Sequence, residues 1–174
     1  NLYSIGQYAF AGCKKLKDIK IDAAKVKYGA YAFTGCETIK EFYVKSAVLP
    51  EGMFYECNNL TKVIIGAEVK DIGVFAFRDT KVSEFEIKKG NKAFKVQNKN
   101  YIISSDSKKL IAVSPLINGE FTYANIDNKK VTEIAKGAFS HNQKITSIVM
   151  DKVTTIGEYG LASNKGLTNV TLGK

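Results

Sequence analysis

The chain has 174 residues, of which 45% are hydrophobic and 25% are charged, and this balance is ordinary for a folded protein. No run of about eighteen apolar residues occurs, so the sequence contains no candidate membrane-spanning helix. The formal net charge is +9, yet Arg78 is the only arginine and the other cations are lysines. Because arginine dominates the readout of bases and phosphates, this composition argues against sequence-specific nucleic-acid binding.

One motif, whose first copy begins at Ile5, occurs six times along the chain. In most copies a central aromatic residue follows a small residue, and a cysteine or asparagine usually stands three residues later. The central residues are Phe10, Phe33, Phe54, Phe77, Phe139 and Leu161. Neighbouring copies are 21 to 23 residues apart, except between Phe77 and Phe139. A fixed period of this length is typical of solenoids.

Each copy ends with the pattern Leu-x-x-Ile-x-Ile, which in the first copy is Leu16, Ile19 and Ile21. The last three residues of this pattern alternate between inward apolar and outward positions. This period of two indicates a half-buried strand, and in the first four copies it predicts main strands near 18–22, 41–45, 62–66 and 84–88. One copy cannot bury its apolar side alone, so the strands must stack about 4.8 Å apart. The segment around each Ala-Phe pair is predicted to be a turn or a single helical turn, too short for an independent helix.

The order Ile-Gly-x-x-Ala-Phe-x-x-Cys-x-x-Leu resembles the BspA-like branch of the leucine-rich repeat family, which is known from bacterial and protozoan surface proteins. The resemblance implies a β-rich leucine-rich-repeat solenoid: a right-handed superhelix with one parallel main sheet and short helical turns on the other side. It also implies a secreted or cell-surface bacterial protein. The usual role of such proteins is adhesion to host or extracellular-matrix proteins, or to neighbouring cells.

The pattern breaks over residues 89–130. Two apolar runs, 101–104 and 110–113, bracket a polar link and predict an inserted β-hairpin near 94–114. We expect this hairpin to extend the sheet while the solenoid continues; the alternative is a break between two sub-arrays. The whole chain, 1–174, is therefore predicted to be a single leucine-rich-repeat domain, regular over 1–88 and again over 131–174. Because neither end has a polar cap, we expect a fragment of a longer protein.

Three cysteines, Cys13, Cys36 and Cys57, occupy the same position of consecutive copies. They are predicted to stack as structural free thiols, and a disulfide between neighbours, which would leave one cysteine over, is the alternative. No Cys-x-x-Cys pair or paired histidine suggests a metal site. His141, the only histidine, is predicted to be a surface turn residue without a carboxylate partner at an equivalent repeat position.

The sequence contains no recognisable catalytic or phosphate-binding motif. Four acidic residues fall at outward strand positions, where a carboxylate pair could in principle act on a glycosidic bond: Asp18, Glu41, Glu84 and Glu86. A solvated sheet face is the simpler interpretation, since nothing around these residues in the sequence would raise a pKa. The chain is therefore predicted to be neither an enzyme nor a cofactor-binding protein.

The outward residues of the main strands define a candidate binding face. Tyr43 and Ile64 are predicted to be adjacent there, an exposed aromatic beside an exposed aliphatic with charges around them, which is the composition of an interaction patch. Strand propensity alone would also place such residues there. The candidate residues are Lys20, Tyr43, Ile64, Glu86, Val149, Glu41, Lys62 and Glu84. The predicted partner is a host or cell-surface protein; an anionic glycan or the cell wall is the alternative, favoured by the lysine excess, and a structural spacer is the third.

Overall fold

The computed structural model of the chain describes residues 2–21 and 26–173. Within these ranges the protein is a parallel β-solenoid of about eight turns, as the repeat period predicts. Its strands are β1 Ser4–Ile5, β2 Lys27–Tyr28, β3 Glu41–Val44, β4 Val48–Leu49, β5 Lys62–Ile65, β6 Asp71–Ile72, β7 Glu84–Ile87, β8 Phe94–Gln97, β9 Tyr101–Ser104, β10 Lys109–Val113, β11 Gly119–Thr122, β12 Glu133–Ile134, β13 Ile145–Met150, β14 Thr155–Ile156 and β15 Asn169–Leu172.

The main sheet is divided into two parts. β3, β5 and β7 form one parallel three-stranded sheet, and β11, β13 and β15 form another. The register pairs Tyr43 with Ile64 and Ile64 with Glu86, as the repeat spacing predicts. The parallel main sheet is therefore confirmed, but the long coil between Ile87 and Gly119 separates its two halves.

The predicted hairpin is present, but the expectation that it extends the main sheet is wrong, because it belongs to a second sheet. This sheet has the strand order β14-β12-β10-β9-β8. β9 is antiparallel to both of its neighbours, β8 and β10, whereas β10, β12 and β14 are parallel. The hairpin's last strand, β10, pairs directly with β12 of the next regular copy, so this second sheet runs from the long coil into the regular copies. The shorter parallel pairs β1-β2 and β4-β6 precede it.

The predicted main strand of the first copy is not formed. Residues 18–21 contain no strand, and residue 22 lies outside the described residues. The repeat register would place Asp18 directly beside Glu41 on the neighbouring strand. Two carboxylates in that relation destabilise a strand pair, which is one physical reason for the first copy to differ from the others.

The helical turns predicted around the central aromatic residues are wrong: these segments are tight turns, and the described residues contain no helix. In every copy the residues two before and two after the central one have φ between 54° and 70°. They are Tyr8, Tyr31, Gly52, Phe75, Gly137 and Tyr159 before it, and Gly12, Gly35, Glu56, Asp79, His141 and Ser163 after it. This left-handed backbone is uncommon for bulky residues, so composition alone could not indicate it. It turns backbone donors toward the next copy, and Phe10 N donates to Ala32 O at 2.8 Å.

The core consists of two hydrophobic clusters joined at the long coil. In the first cluster, Phe10 stacks on Phe33 with ring centroids 5.3 Å apart, and Phe33 stacks on Phe54 at 6.3 Å. Ile111 packs against both clusters. The hydroxyl of Ser114 is also part of the joint, since it donates to the Val82 carbonyl at 2.6 Å. The hairpin thus links the two halves through both apolar and polar contacts.

Candidate binding site on the main sheet

The first half of the main sheet brings together most of the predicted face. Tyr43 is 41% exposed, as predicted, but Ile64 beside it is only 8% exposed. The prediction of an exposed aliphatic residue at Ile64 is therefore wrong, because its register neighbours Tyr43 and Glu86 flank it on both sides of the strand. Ile64 lies on the same side of the sheet as Tyr43 but offers little surface to a partner.

Two lysines approach the ring of Tyr43. The Nζ atom of Lys45 lies 5.5 Å from the ring centroid and that of Lys88 lies 5.7 Å from it. Both distances are within the range of a cation–π interaction, which contributes about 0.5–1 kcal/mol at exposed sites. The exposed aromatic of this face is therefore held between two positive charges.

A network of ion pairs continues from Tyr43 along the sheet. Lys62 Nζ lies 3.2 Å from Glu84 Oε1 and 3.1 Å from Glu86 Oε2. Lys88 Nζ donates to Glu86 Oε1 at 2.6 Å. The hydrogen bond from Lys88, followed by that from Lys62, holds the pKa of the Glu86 carboxyl below its ordinary value, and the same contacts raise the pKa of both lysines. A carboxyl with a lowered pKa is a poor proton donor at neutral pH.

Two predicted members of the face lie elsewhere. Val149 is 37% exposed and belongs to the second half of the sheet, where it pairs with Thr122 and Thr171. Lys20 is exposed in the first copy, within the segment that forms no strand. The structure therefore gathers Glu41, Tyr43 and their neighbours on β5 and β7 into one face but leaves Val149 on a separate one.

A cleft opens between the first copy and β3. Its volume is about 530 Å³, and its walls combine apolar and cationic side chains. The residues that line it are Lys17, Ile19, Lys20, Ile21, Tyr28, Ile39, Glu41, Phe42, Tyr43 and Lys45. A second depression of about 630 Å³ shares Lys17 and Glu41 with it and extends to Thr38, Lys40 and Asn59. Lys20 thus shares a cleft with Tyr43, although the two residues are not paired on adjacent strands.

The cysteines are free thiols in one ladder, as predicted. The Sγ of Cys36 donates to the carbonyl of Phe10 at 3.2 Å, and the Sγ of Cys57 donates to that of Phe33 at 3.0 Å. Each buried thiol therefore satisfies a carbonyl of the preceding copy. Burial raises the pKa of Cys36 to about 11 and that of Cys57 to about 12. Cys13 is exposed at the first copy.

His141 has a carboxylate partner, which sequence reasoning missed. Its Nδ1 atom lies 2.7 Å from Asp79 Oδ1, and its side chain is only 13% exposed. Both residues stand two positions after a central phenylalanine, Phe77 or Phe139. Aligning the copies across the irregular interval would therefore have revealed the pair.

The described residues contain no group of three or more His, Cys, Asp or Glu side chains arranged to hold a metal ion. Within residues 2–21 and 26–173, no helix has the length and hydrophobicity needed to cross a membrane.

The family model for the BspA type leucine-rich repeat region matches residues 1–102 and 90–174, with six copies. The chain therefore belongs to the BspA-type leucine-rich repeat family. Comparison with functionally curated proteins gave no match.

Three solved structures are similar over nearly the whole chain. Pneumococcal vaccine antigen PcpA matches with a TM-score of 0.75 and 21% identity, over 99% of this chain and 43% of that one. A leucine-rich cell surface protein of Faecalibacterium prausnitzii has a TM-score of 0.62 and 22% identity, over 98% of this chain and 51% of that one. A leucine-rich repeat protein of Eubacterium ventriosum has a TM-score of 0.63 and 19% identity, over 98% and 57%. The chain spans about half the length of these structures, and at such identities the likeness shows the fold alone.

Proposed function

We propose that this chain is a non-catalytic protein-binding scaffold of a secreted or cell-surface protein, and that the first half of its main sheet contacts the partner. The observation that carries the proposal is Tyr43, an exposed aromatic on a continuous parallel sheet, placed between Lys45 and Lys88. Rigid aromatic side chains surrounded by charges are typical of the centres of protein interfaces. The repeat fold supports the proposal because it presents such a face on a rigid array.

We further propose adhesion to host, extracellular-matrix or cell-surface proteins as the biological role. Family membership and a structural neighbour described as a leucine-rich cell surface protein support this choice. The charge distribution supports it too, because the ion pairs of Lys62 with Glu84 and Glu86 give the face a mixed pattern that selects among partners.

The absence of catalysis is part of the proposal. A glycosidase acid needs a carboxyl whose pKa is raised, whereas contacts with Lys88 and Lys62 lower that of Glu86. If the protein hydrolysed a glycan and substitution of Glu84 or Glu86 abolished that activity, a purely binding role would be contradicted.

A carbohydrate or cell-wall binding module is the second candidate. The observation that favours it is the same pair of lysines beside Tyr43, together with the net charge of +9, since both attract anionic polymers. Binding of this type weakens steeply with salt because it depends on exposed charges.

Binding of the purified chain to an array of matrix proteins and glycans, at low and physiological salt, tests the proposal. The informative variant is Tyr43→Ala, and Tyr3→Ala is the matched control, because Tyr3 is a highly exposed tyrosine outside the main sheet. Protein binding that survives salt and is lost only in Tyr43→Ala supports the scaffold. Glycan binding abolished by salt supports the wall-binding module, and silence across the array supports a structural spacer.

A further inference from the structure

Among the residues that the structure describes, β3 has a paired strand on one side only, β5, whereas β5 is paired on both sides. In the next copies, Thr61 N donates to Lys40 O at 2.9 Å and Ser83 N donates to Thr61 O at 2.9 Å. Among the described residues, no backbone group of the first copy makes the equivalent bond to β3. β3 is therefore the edge strand of the first half of the main sheet.

The peptide groups on that edge can be identified. The carbonyls of Lys40 and Val44 accept hydrogen bonds from the β5 side. Because successive peptide groups of a strand point to opposite sides, those of Glu41 and Tyr43 face the open edge. They provide alternating donors and acceptors, which is the template that an added strand requires.

The cleft beside this edge has the shape and chemistry for a side chain of such a strand. Its apolar wall is formed by Ile19, Ile39 and Phe42, within a volume of about 530 Å³. The adjoining depression extends the groove along β3 toward Thr38. A groove that follows a strand edge and contains one apolar cavity suits an extended peptide with one large anchoring side chain.

The charges of the groove favour an acidic occupant. Lysine side chains outnumber carboxylates along it: Lys17, Lys20, Lys40 and Lys45 stand against Asp18 and Glu41. Exposed charges of one sign along a groove raise the association rate of a partner of the opposite sign.

We propose that an extended acidic segment of a partner protein adds as a strand to the open edge of β3 and inserts an apolar side chain into the cleft. This inference rests on the proposed protein-binding function and specifies how the partner is recognised. A glycan lacks the alternating amide groups that pair with Glu41 and Tyr43, so the strand edge favours a peptide.

The test uses a synthetic ten-residue peptide of alternating glutamate and valine with one central phenylalanine. We expect saturable binding, with amide chemical-shift changes concentrated in residues 39–45. Methylating the backbone nitrogens of the peptide that face β3, or replacing its phenylalanine by alanine, should each weaken binding at least tenfold. Equal binding by the methylated peptide, or no binding by the parent peptide, would overturn strand addition.

The charge contribution has its own matched comparison. The double variant Lys17→Glu with Lys45→Glu should weaken peptide binding at least tenfold. The control Lys129→Glu with Lys165→Glu makes the same change in net charge at exposed residues outside the groove and should have little effect. Equal loss in both variants would mean non-specific attraction and would contradict the site.

Hydrogen exchange in the free protein tests the open edge itself. The amides of Glu41 and Tyr43 should exchange quickly without peptide and become protected with it. Strong protection in the free protein would mean that the edge is already paired, which overturns the proposal. If the peptide binds but no matrix protein does, the adhesive role alone is contradicted. If a matrix protein binds and the peptide does not compete with it, the strand-addition site alone is contradicted.

Discussion

Asp79 and His141 are separated by 62 residues in the sequence, yet Asp79 Oδ1 lies 2.7 Å from His141 Nδ1. The fourth and fifth copies thus meet directly along the turn edge, while the long coil leaves and returns elsewhere. Lys136 of the fifth copy also pairs with Asp71 of the fourth at 3.1 Å, and Tyr159 of the sixth copy packs on Phe75. At this seam, side-chain contacts join the fourth copy to the two copies that follow it. Three buried polar atoms there, Arg78 Nε, Ser140 Oγ and His141 Nδ1, lack hydrogen-bond geometry to any partner.

The Asp79–His141 contact should contribute measurably to stability. We expect a double-mutant cycle of Asp79→Asn and His141→Gln to give a coupling of about 1 kcal/mol in urea unfolding at neutral pH, because the histidine is only 13% exposed. The exposed pair Lys14–Glu37 is the control, with a coupling expected within about 0.5 kcal/mol. Equal couplings for the two pairs would show that the seam gains nothing from its buried position.

Close contact between copies should make one repeated glycine indispensable and its counterpart dispensable. A Cβ at Gly73 would lie 2.4 Å from Glu51 N, whereas a Cβ at Gly6, the same repeat position, meets nothing within 4 Å. We expect Gly73→Ala to lower the free energy of unfolding by about 2–3 kcal/mol through overpacking. Gly6→Ala should be neutral or stabilising by up to about 1 kcal/mol. Comparable stabilities of the two variants in urea unfolding would contradict the close packing of the copies.

The thiols should differ sharply in reactivity. We expect iodoacetamide to label Cys13 in the native protein and to spare Cys36 and Cys57, whose burial raises their pKa values and so depletes the thiolate. Mass spectrometry of the labelled, digested protein identifies the modified residues. Labelling in urea is the control, and all three thiols should then react.

The thiol of Cys57 should also make stability depend on pH. Its pKa is raised from an ordinary value of 9.0 to about 12 on folding, so its contribution is constant below pH 9.0 and is lost as the pH rises toward 12. The difference in unfolding free energy between the wild type and Cys57→Ala should therefore shrink from about pH 8 to about pH 11. Because lysines titrate in both proteins, the comparison cancels their effect. A constant difference would mean that Cys57 is not buried as a neutral thiol.

Glu86 should titrate below an ordinary glutamate. Its pKa is lowered by Lys88 and Lys62, so the stabilisation is present above the ordinary pKa and is lost as the pH falls through the lowered value. Carbon-detected NMR titration of the side chain should show this, and Lys88→Met should raise the Glu86 pKa toward its ordinary value of 4.5. Lys129→Met, with no contact to Glu86, should leave it unchanged. If Lys88→Met left the Glu86 titration unchanged, the ion pair between Lys88 and Glu86 would be contradicted.

Repeat spacing was sufficient to predict the solenoid, the register of Tyr43 with Ile64 and the hairpin near 94–114. These features depend on periodic burial, and each copy of the motif reports the same period. The helical turns were not predictable in the same way, because the left-handed backbone at Tyr8 or Tyr31 is held by hydrogen bonds to the next copy and opposes the preference of the residue itself.

The binding face was less accessible to sequence reasoning because exposure depends on neighbours in space. Alternation places Ile64 on the outer side, but contacts across the strands bury it. The strand at 18–21 is likewise missing in a copy whose Asp18 would lie beside Glu41 of the next copy. The partner of His141 is Asp79, which is 62 residues earlier in the sequence. All three are relations between copies, which the composition of a single copy does not contain.

The long coil leaves the array on one side and rejoins it without displacing the turn edge, where Val74 still packs against Gly137. An array built in this way tolerates growth: additional residues inserted at the hairpin lengthen a lateral projection and leave the spacing of the copies unchanged. Relatives that differ in the length of the segment equivalent to residues 89–130 would thus differ in surface shape while the regular copies keep the same spacing.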